Sequence, residues 1–139
     1  MMKDSEKQIE NAILKYLNLL PGCFAFKVNT MGVFDKTLGC YRRTSKYIVK
    51  GTADIFCIIN IEGLGVMICL EVKSASGKQS DNQKQFQYFI ERSKGFYFVV
   101  RSLQEAENAI RYARREIVSN LQNHLLRKTM PLQQEGLLY

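Results

Sequence analysis

The sequence predicts an α/β domain: a mixed central sheet flanked by helices, in the order α-β-β-β-α-β followed by a further helix. Two observations carry this. The runs ADIFCIINI and GVMICLEVK are apolar at nearly every position and are joined only by Glu62-Gly63-Leu64, as expected of two adjacent central strands covered on both faces. Around them lie three segments with apolar residues at helical spacing, two of them opened by a Ser-x-x-Glu/Gln box, which supply the covering helices. At 139 residues the chain has the length of one domain with one core. The expected boundaries are a domain over 1–123 and a tail over 124–139, where Leu residues mix with Pro131 and Gly136 without a period.

The first helix begins at the box Ser5-x-x-Gln8, repeats Ile9, Ile13, Tyr16, Leu17 and Leu20 along one stripe, and ends at Pro21-Gly22. CFAFKVNT, residues 23–30, reads as a strand. The basic, aromatic and glycine-interrupted stretch after it reads as a hairpin or loop. Beyond the two central strands, a stripe through Gln79, Gln83, Phe86 and Ile90 marks a second helix closed by Lys94-Gly95, and FYFVV is a further strand. Ser102-x-x-Glu105 opens the last helix, with Ala106, Ala109, Ile110, Ala113 and Ile117 on its apolar side.

The net charge of +7, from 20 Lys and Arg against 13 Asp and Glu, favours a polyanionic partner and is not gathered in one tail. No apolar run reaches 18 residues and no secretory leader is visible, so the expectation is a soluble, unsecreted protein. Cys23, Cys40, Cys57 and Cys69 form no Cys-x-x-Cys pair and read as reduced thiols; His124 is the single histidine. A metal in this chain would therefore be held by oxygen.

Candidate chemistry lies where the second central strand ends. Successive strand residues face opposite ways, so Glu71 and Lys73 share a face with Met67 and Cys69. A turn at Glu62-Gly63 places Asp54 opposite Glu71, whereas a turn at Gly63-Leu64 places it opposite Lys73. Either register brings Asp54 against the pair. Two carboxylates in a dry sheet repel, so one takes a proton unless a cation sits between them, and a divalent metal is the economical cation. Lys73 could then orient the attacking water or neutralise charge on a phosphate. Gln83 sits on the helix stripe that faces the sheet and needs a polar partner. Glu10, three and seven residues before Ile13 and Leu17, could reach the same place from the first helix.

At Gly51-Thr52-Ala53-Asp54, Glu71-Val72-Lys73-Ser74, Gly77-Lys78-x-Ser80-x-x-Gln83 and Val99-Val100-Arg101-Ser102, about half the chain, the sequence resembles the PD-(D/E)xK nuclease superfamily. Within it the sequence is most similar to the VRR-NUC family of virus-type replication and repair nucleases. Ala53 stands where many relatives have proline, at a position that shapes backbone and supplies no ligand. The resemblance implies a restriction-endonuclease-like core. It also implies Asp54 and Glu71 as ligands of Mg²⁺ or Mn²⁺, Lys73 as the catalytic lysine, Gln83 bordering the site and Glu10 as the first-helix acid. The activity implied is metal-dependent hydrolysis of DNA phosphodiesters by a small, phage-like homodimer acting on branched DNA such as Holliday junctions. The rival expectations are cutting of nicked, flapped or duplex DNA without branch preference, and a DNA-binding module of the same fold that does not cut. Lys50, Arg42, Arg43, Lys46 and Lys78 are the candidate DNA contacts, since charges interleaved with rings suit a nucleic-acid backbone as well as they suit a solvated hairpin.

Overall fold

The computed structural model describes residues 4–42 and 45–129. Helix α1 (Glu6–Leu19) starts where Ser5 accepts from the Gln8 N–H and the Gln8 amide accepts from the Ser5 N–H, and its stripe buries Ile13 and Leu17 completely. The strands β1 (Cys23–Phe26), β4 (Ile55–Ile61), β5 (Leu64–Val72) and β6 (Phe96–Val100) form one sheet in the order β1-β4-β5-β6. The first three are antiparallel and β6 is parallel to β5, so the sheet is mixed. The parallel step requires a crossover, supplied by α2 (Asp81–Arg92). Strands β2 (Val33–Asp35) and β3 (Cys40–Arg42) pair only with each other. The long α3 (Leu103–Thr129) closes the described chain.

Alternation along the strands divides the molecule into two layers. Ala25, Ile55, Cys57, Ile59, Ile68, Leu70, Val72 and Val100 face α1 and α3 and form the larger core with Ala106, Ala109, Ile110 and Ala113. The small residues of α3 let that helix lie close to the strands. On the opposite face Ala53, Cys69, Phe86 and Tyr97 form a smaller cluster beneath α2, joined by Phe56, Met67, Ile90 and Val99. The four cysteines are thiols; Cys23 and Cys57 Sγ atoms lie 3.3 Å apart across the larger core.

The register is the first of the two alternatives. Ile61 pairs with Leu64 and Ile55 with Leu70, so Asp54, one residue before β4, faces Glu71. Glu62 and Gly63 form the two-residue turn with φ of 53° and 82°, the pair of positive values whose twist matches a hairpin. The adjacent polar Asn60 helps by accepting from the Gly63 N–H.

Four expectations are corrected. The first strand stops at Phe26 rather than Thr30; its free edge is closed at Ala25, whose N–H and C=O both bond to the Asn18 side chain of α1. Strand β4 is covered on both faces only near its start: Ile58 and Asn60 face solvent because α2 reaches only as far as Phe56. The box opening α3 is offset, with Ser102 accepting from the Glu105 N–H while Glu105 accepts from the N–H of Arg101 rather than of Ser102. Finally, α3 continues without a break through residues 124–129, so the boundary drawn at 123 falls inside a helix; 130–139 lie outside the described residues. No described helix is long and apolar enough to cross a membrane.

Candidate active site

Three elements deliver the chemical groups. The segment Gly51-Thr52-Ala53 leads into β4 and sets Asp54 at its threshold. Gly51 has a φ of +75°, and a Cβ there would lie 2.3–2.5 Å from backbone atoms of Asn82 and Gln83, so only glycine lets this segment lie against the first turn of α2. Thr52 ties the turn by donating to the Val49 carbonyl, and Ala53 is buried against Cys69, Phe86 and Tyr97. The second element, the end of β5, carries Glu71, and Lys73 follows just past the strand with its N–H still bonded to the Val100 carbonyl, 3.0 Å away. The third is the start of α2. Ser80 caps the helix by accepting from the Gln83 N–H, and the Gln83 Oε1 accepts from the Ser80 N–H. That bond fixes which way the amide points, so Nε2 is left to donate to Glu71 Oε1.

Glu71 is the buried charged residue of the described protein, 1% exposed. Its Oε1 receives Gln83 and, at 2.9 Å, the Lys73 ammonium, while its Oε2 is fully buried with no partner. Asp54 Oδ2 accepts from the Val72 N–H at 2.8 Å, and Asp54 also lines an open cleft. Burial, and then the charge of Asp54, push the Glu71 carboxyl up to about 7 against the pull of Lys73. Burial also raises Asp54, with the negative charge of Glu10 adding to it and the Val72 N–H opposing it. The two carboxyl groups lie close enough for the charge of Asp54 to add to the rise at Glu71. The single ammonium of Lys73 offsets only part of what burial and the facing carboxyl group do to Glu71.

The donor set fits a hard divalent cation. An orphaned, buried carboxylate oxygen beside a second carboxylate calls for positive charge, and ions such as Mg²⁺ take one or two protein carboxylates and complete their shell with water and substrate phosphate. Among the described residues no three Asp, Glu, His or Cys side chains gather as one ligand group. Glu10 accordingly stands apart: it is near enough to raise Asp54, but its own carboxylate is held by the Lys27 ammonium. Lys27 belongs to the wall of a cleft of about 430 Å³ that runs from Asp54 along Val28–Met31 and Thr52–Ala53.

Arg42 is paired with Asp35 at 3.1 Å, Lys46 lies over the Tyr47 ring, and Lys50 and Lys78 are exposed, Lys78 in the loop leaving the site strand. Arg43 lies outside the described residues. Sequence reasoning missed the groups that hold the backbone behind Lys73. The Ser74 N–H donates to Glu6 at 2.7 Å, and the Ser74 carbonyl accepts from Arg101. An acid in a first helical turn and an arginine after a strand give no local signal of this, because the partner is 68 residues away for Glu6 and 27 for Arg101. Tyr97 was also missed; its hydroxyl accepts from Gln79 beneath α2, and burial pushes the phenol up.

No family model, curated protein or solved structure matches this chain.

Proposed function

We propose that the protein is a Mg²⁺- or Mn²⁺-dependent DNA endonuclease with a restriction-endonuclease-like core, of the kind the VRR-NUC resemblance implies. The observation that carries this reading is Glu71: a carboxylate 1% exposed, with an unpartnered oxygen, facing Asp54 and touched by the Lys73 ammonium. Burying two facing carboxyl groups beside a single ammonium is costly, and a chain that needed only stability would place apolar groups there. Asp54 and Glu71 would hold the metal, whose charge would stabilise the phosphate and make water a stronger nucleophile at neutral pH.

Lys73, on a flexible stem at the open end of the strand, orients the attacking water or a phosphate oxygen and offsets the negative charge that builds up on phosphorus. Water adds to phosphorus as the bond to the 3′ oxygen breaks, and that oxygen takes up a proton, leaving a 5′-phosphate and a 3′-hydroxyl. Gln83 holds the Glu71 carboxylate in one orientation, and Glu6 and Arg101 hold Ser74, which limits the swing of Lys73. Exposed cations Lys50, Lys46 and Lys78 take the DNA backbone, so binding weakens steeply with salt.

The substrate we propose is branched DNA such as a Holliday junction, cut by a homodimer with two sites acting on strands of opposite polarity, in a bacterial or phage-infected cell. The test is cleavage of a labelled four-way junction, a flap and the component duplex in Mg²⁺, Mn²⁺ or EDTA. Metal-dependent cutting with the junction preferred is the expected result. Equal cutting of all three would replace junction resolution by general cutting, and tight binding without cutting in either metal would leave a binding module.

A further inference from the structure

The β2–β3 hairpin has no counterpart in the core. It pairs with no other strand, yet it is well built. Asp35 organises its turn by accepting from the Thr37 and Leu38 N–H groups, Gly39 closes it at a φ of +65° by donating to the Asp35 carbonyl, and the second Asp35 oxygen pairs with Arg42. The opposite face carries Phe34 and Tyr41, direct cross-strand partners whose ring centroids are 5.2 Å apart, edge to face. These rings are 48% and 59% exposed, and Leu38 at the tip is 67% exposed. A hairpin ordered by its own turn, holding large apolar groups in water, is a surface built for a partner.

Charge identifies the partner. Residues 27–50 contain six Lys and Arg and one Asp, so this stretch contributes +5 of the chain's +7. Placement agrees, because the residues before the hairpin, up to Met31, and those after it, from Thr52, form the two walls of the cleft that ends on Asp54. Whatever the hairpin holds is thereby led toward the carboxylates.

We propose that the β2–β3 hairpin is a base-stacking arm: Phe34 and Tyr41 receive bases that are already unstacked, while Lys36, Lys46 and Lys50 take the flanking phosphates. Rings accept any base on its π-face, so the arm selects DNA by the presence of unpaired bases at a branch or fork and not by sequence. A continuous duplex offers no free face, and the arm gains only phosphate contacts there. The inference rests on the nuclease reading and deepens it by naming the substrate class: DNA with unpaired bases next to the scissile phosphate.

The test is equilibrium binding in EDTA, where cutting plays no part, with 2-aminopurine in the unpaired arm of a forked DNA and the matching duplex as comparison. Full-length wild type, Tyr41→Ala, Phe34→Ala and the ring-preserving Tyr41→Phe are measured together with their oligomeric state. Wild type and Tyr41→Phe should quench 2-aminopurine on binding. Each alanine variant should lose about tenfold or more in affinity for the fork and less than about threefold for the duplex. Equal losses on both DNAs, no loss on the fork, or dissociation of an oligomer by the alanine variants would each overturn the proposal, the last by assigning the rings to a protein contact. Failure of the nuclease reading is visible separately, as absence of metal-dependent cutting by a wild type whose fork binding is intact.

Discussion

Along one face of β5, Val66, Ile68, Leu70 and Val72 lie against α1 and α3; along the other, Cys69 and Glu71 lie under α2, with Lys73 just past the strand end. Both faces exclude water at this end of the strand, but they use the exclusion differently. The aliphatic face gains roughly 25 cal/mol for each Å² of apolar surface removed from water. The α2 face spends part of that gain on a carboxylate whose second oxygen has no partner. On the proposed reading, stability and chemistry are divided between alternate residues of one strand, and substitutions on the two faces should have opposite consequences.

The largest expected effect on stability is on the aliphatic side. Leu70→Ala should cost about 2–5 kcal/mol in chemical denaturation, because the close-packed interior cannot collapse around the lost atoms, while the folded fraction keeps its cleavage rate. A folded Leu70→Ala variant with no activity would erase the division between the faces. The next effect has a sign that depends on pH. The ordinary value of the Glu71 carboxyl is 4.5 and burial raises it to about 7, so between these values the native state holds a proton that the unfolded chain has released. Stability of the metal-free protein should therefore fall as pH rises through this window, by up to about 3 kcal/mol, with the raised Asp54 acting in the same direction. Thermal denaturation from pH 5 to 8 reads this directly. Mg²⁺ should restore stability most at pH 8, where it replaces the missing proton, and a metal-free stability that rises with pH would contradict the assignment.

Glu71→Gln sharpens the same contrast. It removes the buried charge but keeps the shape, so in EDTA at pH 8 it should be about 1–3 kcal/mol more stable than wild type and unable to cleave DNA. A loss of stability comparable to Leu70→Ala would mean that Glu71 serves the fold. The smallest effect belongs to Ser80→Ala, which removes the α2 cap at a cost of about 1 kcal/mol. Because the Ser80 N–H orients Gln83 and Gln83 orients Glu71, the loosened first turn of α2 should lower cleavage several-fold, whereas a cap lost elsewhere should lower stability alone.

The division between faces was largely legible in the sequence, since strand alternation alone puts Glu71 with Lys73 and opposite to Leu70 and Val72. The register was not, because two turns of one residue's difference were both compatible with the run; Glu62 accepting a positive φ decided it. Apolar Phe56 and Ile58 suggested cover on both faces of β4, yet coverage depends on how far α2 reaches, which periodicity does not encode. Gln83 was found by its stripe, but its second role in the helix cap emerges only with Ser80 in place. Glu10 could be placed near the site from its helical position, but its ion pair with Lys27, 17 residues on, carries no signal in the sequence. The hairpin aromatics Phe34 and Tyr41 could be read as strand formers and not as exposed rings, because exposure is set by the absence of a covering layer.

On the proposed reading, the α2 face of β5 cuts DNA. Single-turnover cleavage of a four-way junction in Mg²⁺ by wild type and Lys73→Ala, each shown to be folded and to bind the junction in EDTA, tests it most directly. Wild type should cut, Lys73→Ala should cut at least about 100-fold more slowly, and binding should be unchanged. Equal rates for the two proteins, or no cutting by a folded wild type that binds DNA, would contradict it.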